Sequence, residues 1–378
     1  MKSIVYVLTL FIMVSCINQR HDEQSIKIEN NYIDLPFDEC VDSFYVRKLI
    51  SNNPLTELYL TQVVDDQLFI ISEDDRIIYY VKNDSVISKL DAFGRGRGEY
   101  FSISGFAYSK EDSILYIGSA GSNKILSYKV PSFSFISSID CDLELSTMTF
   151  WAGKIIAICH TSSIESPRLN GIYEIDVKTG DYKKILDVDY LSAVNMGLNN
   201  ISFSDSELLI SVPGFDNIIY KVTNGGLVPT NEFHYGEMNL DRSFFNVDET
   251  NSKEYADKMV ELSEKEYCLG GSYPISYDSN NCSFWRCVNI DNEYVYLYTI
   301  LHNELSSSYK LYIPGFSEPV IPFSVNNRWY MSIIEGPVES VVDDESILEG
   351  IGLDVIKTLK EQTFDNPILL YYKIKETI

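Results

Sequence analysis

The chain has 378 residues, 45% of them apolar and 22% charged, with 27 tyrosines, 19 phenylalanines and 3 tryptophans. That is enough material for a large packed core and excludes a disordered or fibrous chain. With 30 basic against 55 acidic side chains, a net charge of -25, the chain lacks the basic face that phosphate neutralisation needs, which excludes nucleic acid as a partner.

The first residues read MKSIVYVLTLFIMVSC: Lys2, an apolar stretch from Ile4 to Val14, then Ser15 and Cys16. Crossing ~30 Å of hydrocarbon takes ~20 apolar residues. This shorter run, followed by polar INQRHDEQ, reads as a signal peptide over 1–15 rather than a spanning helix. Met13-Val14-Ser15-Cys16 resembles the lipobox of bacterial lipoproteins, with Met13 where leucine is usual. The resemblance implies acylation of Cys16, a lipid anchor in the outer membrane and a tether over 16–36; the competing reading is a plain secretory signal. Asp22-Glu23 fits a surface-export signal and a plain acidic tether equally.

From residue 37 onward, short β-branched and aromatic runs alternate with Asn, Asp, Gly and Ser clusters and show little helical period. QLFIIS, RIIYYV and SVISKL form a triplet that recurs as SILYIG, KILSYKV and FSFISSI, as KIIAIC, GIYEIDV and YKKILDV, and as ELLISV, NIIYKV and GLVPTNEF. Two looser copies are CSFWRCV, EYVYLYTI, SYKLYI and RWYMSII with ILLYYKI. The first strong strands centre on Ile70, Tyr116, Ile156, Leu209, Phe284 and Tyr330, at spacings of 46, 40, 53, 75 and 46 residues. Six such copies predict an all-β, six-bladed β-propeller over 37–378. A sandwich would not repeat internally at this period, and β-helix coils are shorter. Lone blades would leave apolar faces wet, so the ring must close. Closure is expected from SFYVRKLI (43–50) pairing beside the C-terminal ILLYYKI.

Two helical insertions break the rhythm, at about 237–271 and 338–363. The first contains SKEYADKMVELSEKEY, with Ala256, Met259, Val260 and Ser263 on one face and Ser252 able to cap its start. Either insertion could hold ligand contacts or shield the rim.

Beyond Cys16 the cysteines are Cys40, Cys141, Cys159, Cys268, Cys282 and Cys287, most of them in apolar strand patterns that suit buried thiols. Cys282 and Cys287 are the candidate disulfide, with each other or with Cys268. No CxxC pair occurs and His21, His160, His234 and His302 are scattered, so no metal site is predicted.

Gly94 to Tyr100 reads GRGRGEY, preceded by KLDAFG and followed by FSISGFAYSKEDSILYIGSAGSNKILSY. Here the sequence resembles the six-bladed β-propeller lipoproteins of Gram-negative gut anaerobes, relatives of the NHL-repeat propellers. Their first blade ends in GxGxGEY, and Arg97 stands where proline is common. DECVDSFYVRKLI and DNPILLYYKIKE also resemble that family's closing strands. The resemblance implies a fold and a lipid anchor, and no reaction. Physically, alternate glycines permit positive φ and close approach, while Arg95 and Arg97 make a cationic spot suited to an anion or carboxylate. The alternative is a turn whose arginines pair with Glu99 or Asp91. Arg95, Arg97, Glu99 and Tyr100 are the candidate ligand contacts.

No GxSxG, P-loop or HExxH occurs, so no catalytic residue is nominated. Trp151, Trp285 and Trp329 lie in or beside predicted strands, where blade packing would use them. The reading that follows is a membrane-anchored, non-catalytic binding or scaffolding propeller for a protein, peptide or glycan partner. One alternative is a metal-dependent hydrolase or lyase in the central channel, with calcium held by single acids from different blades. Another is an accessory subunit of an outer-membrane uptake complex. No cofactor is predicted outside the calcium alternative.

Overall fold

The computed structural model describes residues 25–375 except 53, 56–57, 65–66, 73–75, 144, 160–169, 188–200, 205–206, 212–216, 240–252, 254–255, 258–259, 262–264, 278–280, 291–292, 303–304, 317–319, 323, 327–328, 336–337, 343–344 and 363–365. The expected signal peptide over 1–15 and the expected acylation site Cys16 fall outside the described residues.

The N-terminal part gives β1 (Ser25–Lys27), β2 (Ile33–Pro36), a one-turn helix α1 (Phe37–Cys40) and β3 (Val41–Lys48). Blade 1 follows as β4 (Leu58–Val64), β5 (Gln67–Ser72), β6 (Ile77–Lys82) and β7 (Ser85–Asp91). Blade 2 is β8 (Ser102–Ser109), β9 (Ile114–Ala120), β10 (Lys124–Lys129) and β11 (Ser134–Asp140). Blade 3 is β12 (Leu145–Trp151), β13 (Lys154–Cys159), β14 (Gly171–Asp176) and β15 (Tyr182–Asp187). Blade 4 is β16 (Ile201–Ser204), β17 (Glu207–Ser211), β18 (Ile218–Thr223) and β19 (Gly226–His234). Blade 5 is β20 (Tyr267–Tyr277), β21 (Asn281–Ile290), β22 (Glu293–His302) and β23 (Leu305–Tyr312). Blade 6 is β24 (Ser324–Asn326), β25 (Trp329–Ile334), then α2 (Val338–Val341) and α3 (Gly350–Lys360), then β26 (Ile368–Ile374).

Each blade is an antiparallel meander, and the first strands adjoin around the centre. Blade 6 is completed by β3, which runs antiparallel to β26 with Tyr45 opposite Tyr371 and Val46 opposite Leu370. The ring is therefore closed by N- and C-terminal strands, as expected.

The packing follows from the period of two along a strand. In β5, Phe69 and Ile71 face blade 2 and pack with Phe106, Tyr108 and Ile117, while Leu68 and Ile70 face blade 6 and meet Met331 and Leu369. Second strands are thus buried on both faces, which explains their continuous apolar runs. Fully burying each such side chain contributes about 1.5–3 kcal/mol. Tight hairpins set the register: Asn83 and Asp84 both take positive φ (49° and 61°) between the paired Lys82 and Ser85, the backbone a two-residue turn requires.

The antiparallel order has a further consequence. Connections between blades and those between second and third strands leave from the same face of the ring. Every inter-strand connection longer than five residues within the ring, including 92–101, 235–266 and 335–367, joins strand ends on that face.

Some expectations change. The tether reading of 16–36 ends early, because β1 pairs in parallel with β19 and β2 with β23, adding a fifth strand to blades 4 and 5. An edge strand buries little side chain, so its sequence looks like a linker. The first insertion spans 235–266 rather than 237–271, since β20 begins at Tyr267; Lys253, Ala256, Asp257, Val260 and Glu261 within it are helical. In the second, α3 buries Ile351, Val355, Ile356 and Leu359 in the core between blades 5 and 6, and Asp38 of α1 accepts the Ile351 N–H at 2.9 Å. This insertion shields the rim.

The six described cysteines are reduced and buried. Cys282 and Cys287 share β21. Five residues along a strand place them ~17 Å apart and on opposite faces, far outside the ~4.4–6.8 Å Cα separation of a disulfide. Burial pushes the thiols of Cys40 and Cys287 up to about 12.

Trp285 is buried between blades 5 and 6, with its ring 5.6 Å from that of Tyr298. Trp151 packs against the core between blades 3 and 4, and Trp329 sits 5.0 Å from Tyr45 on blade 6.

Candidate functional site: a cationic cleft between the GRGRGEY loop and blade 2

The GRGRGEY segment connects β7 to β8 and opens on the face that carries the long connections. Its base is closed by Gly94 N–H donating to Tyr100 O at 3.0 Å and Tyr100 N–H to Ala92 O at 2.9 Å. Two tyrosines clamp it from below. The Tyr100 hydroxyl lies between the carbonyls of Arg76 and Leu90 and accepts from Ala92 N–H at 3.3 Å; the Tyr128 hydroxyl donates to Gly98 O at 2.9 Å. Burial pushes Tyr100 up to about 12 and raises Tyr128 too.

The glycines are required by what surrounds them. At Gly98, φ is +79° and a Cβ would sit 2.6 Å from Phe135 Cγ. At Gly94 a Cβ would meet Glu99 Oε2 at 2.0 Å, because the Glu99 carboxylate folds back over the loop to accept Gly96 N–H at 2.6 Å. The loop thus already holds one carboxylate, its own.

Around it lies an open cleft of about 650 Å³, lined by 94–99, Phe101 and, from blade 2, Gly121, Ser122, Lys124, Leu126 and Ser138. Three cations line it: Arg95, Arg97 and Lys124. Among the described residues none of them forms an ion pair, so the expected pairing with Glu99 or Asp91 is not made. The guanidinium carbons instead lie 5.5 Å from the Phe101 ring centre (Arg95) and 6.0 Å from that of Phe135 (Arg97). Phe93 and Phe101, 5.9 Å apart, are 43% and 45% exposed, and Arg76 covers Phe93 at 4.4 Å.

Of the four candidate contacts, the structure brings Arg95, Arg97 and Glu99 to the cleft. Tyr100 is fully buried beneath it and holds the loop instead of facing a ligand. Lys124, Ser122, Ser138 and Phe101 were missed by sequence reasoning. The available signal was the β9–β10 turn AGSNK, which antiparallel order sends to the same face.

Among the described residues no group of three or more His, Cys, Asp or Glu side chains converges as a metal site would require. No described helix is long and apolar enough to cross a membrane.

Six four-stranded antiparallel meanders in a closed ring, two of them extended by a parallel edge strand, define a six-bladed β-propeller. The chain belongs to the DUF5128 family, described as 6-bladed beta-propeller, which it matches over residues 17–269. No curated protein matches it in sequence. Among solved structures it is similar to a Bacteroides fragilis NCTC 9343 protein described as exported, with a TM-score of 0.68 and 16% identity over 93% of this chain and 100% of that one. It is more distantly similar to BamB of Moraxella catarrhalis, with a TM-score of 0.43 and 9% identity over 88% of this chain and 99% of that one. A third is Kuenenia stuttgartiensis hydrazine synthase, with a TM-score of 0.42 and 12% identity over 68% of this chain and 66% of that one.

Proposed function

We propose that this protein is a non-catalytic binding propeller of the cell envelope, anchored through an acylated Cys16. It holds an anion-bearing protein, peptide or glycan partner in the cleft between the GRGRGEY loop and blade 2. The observation that carries the reading is the trio Arg95, Arg97 and Lys124, gathered without ion pairs among the described residues on a chain of net charge -25. Three cations against the single carboxylate of Glu99 leave the cleft lining net positive on an acidic chain, which makes it the place where an anion is attracted. The envelope address is supported by the lipobox-like Met13 to Cys16 and by the exported description of the Bacteroides fragilis protein. Together with the GxGxGEY segment they support kinship to NHL-like lipoproteins.

The test is thermal unfolding of the full chain in detergent against panels of anionic and neutral peptides and glycans. A ligand at a hundredfold excess over its Kd adds about 2.7 kcal/mol to stability. An anionic ligand should raise Tm in the native chain and not in Arg95→Gln/Arg97→Gln. A panel without any shift, or shifts unchanged in the double variant, would refute the site. Cys16→Ala should release the protein from membranes, and retention would refute the anchor.

A further inference from the structure

The cleft is larger than a lone inorganic anion needs; about 650 Å³ lies within the ~300–1,000 Å³ of small-molecule sites. Its lining combines three kinds of group. Arg95 and Arg97 carry planar donor forks that match a carboxylate. Phe101 offers a partly exposed ring at the wall, against which the C–H face of a sugar can lie. Ser122, Ser138 and the ammonium of Lys124 complete the lining with groups that can pair with ring hydroxyls, Ser122 Oγ as an acceptor since it already donates to Ser119. Glu99 shows the ligand chemistry from within: its carboxylate already rests on a glycine N–H of the same loop, at 2.6 Å. The lining strand β10 is paired on both sides, with β9 and β11, while β11, which carries Ser138, is the outer edge of the sheet.

We infer that the cleft recognises a uronic acid unit of an acidic glycan, resting on the reading of the cleft as an anion site. The carboxylate is held by Arg95 and Arg97, the sugar ring lies against Phe101, and the hydroxyls are met by Ser122, Ser138 and Lys124. The three residues that decide binding are exposed, so their substitution leaves the core intact.

The experiment is calorimetric titration of the full chain in detergent with four probes: a galacturonate trisaccharide, the neutral galactose trisaccharide, a glutamate-rich peptide and inorganic phosphate. The galacturonate should bind at least tenfold more tightly than the neutral sugar. Arg97→Gln and Phe101→Ala should each weaken it at least tenfold, with Tm unchanged. Binding of the peptide or phosphate in preference to galacturonate would overturn the sugar assignment and leave the anion site standing. Galacturonate binding indifferent to both variants would overturn this placement, and no binding by any probe would overturn the anion reading as well.

Discussion

Two arginine environments on opposite sides of the ring differ in what their guanidinium groups do. At the edge of blades 4 and 5, Arg286 is completely buried and all five of its N–H donors are met by neutral groups. Its Nε donates to Thr299 Oγ1 at 3.1 Å, and Nη2 to Glu29 O at 3.0 Å and Ser308 Oγ at 3.1 Å. Nη1 reaches Asn30 Oδ1 at 3.5 Å and Cys268 Sγ at 3.9 Å, and the charge lies 5.2 Å from the Tyr235 ring centre. On the face that carries the long connections, Arg95 and Arg97 are exposed and, among the described residues, make only ring contacts. The first guanidinium is consumed in joining the N-terminal strap to the sheet. The others are exposed, with donors that no described side chain takes up. Burial and donor satisfaction, rather than residue type, separate a structural arginine from one available to a ligand.

The comparison breaks most readily at Arg286. Arg286→Ala should cost about 3–5 kcal/mol, read from urea unfolding, because it leaves a cavity and orphans several acceptors. Deleting residues 25–36 in the same background should add less than it does alone, since the two changes remove the same contacts. A loss below about 1 kcal/mol, or simple additivity, would mean the strap is held by something else. Next is Gly98→Ala, expected to cost about 1–3 kcal/mol through its positive φ and the approach of Phe135. Gly94→Ala should cost less, because the atom in its way is the far end of the Glu99 side chain. If the two are equal, the positive φ and the approach of Phe135 are not what fixes the loop at Gly98. Smallest is Arg47, an intermediate case: half exposed, it donates to both carboxylate oxygens of Asp84 at 3.1 Å and covers the Tyr45 ring at 4.7 Å. Arg47→Ala should cost about 0.5–1 kcal/mol, measured the same way.

The architecture was legible because each repeat centre, from Ile70 to Tyr330, falls in the second strand of a blade, where both faces are buried and the apolar run is continuous. The strap was not. In β1 and β2 the chain gains a sheet edge chiefly through backbone hydrogen bonds, which leave little trace in side-chain pattern. The arginines of GRGRGEY were legible as a local charge anomaly. Lys124 was not, because it reaches the cleft from a separate hairpin. Tyr100 looked like a contact because it neighbours the loop in sequence, and only packing reveals that it faces inward. Arg286 inside CSFWRCV gave no sign of its role, since its acceptors Glu29 and Asn30 lie some 250 residues away.

The parallel pairing of β1 and β2 also sets the path of mechanical load. A pull on the residues before Ser25 runs along the strap, so the hydrogen bonds to β19 and β23 resist it together in shear instead of opening one by one. The Arg286 contacts to Glu29 and Asn30 bear on the same stretch. Force is therefore spread over blades 4 and 5 before it reaches β3. The strand that closes the ring is the last to feel the tension.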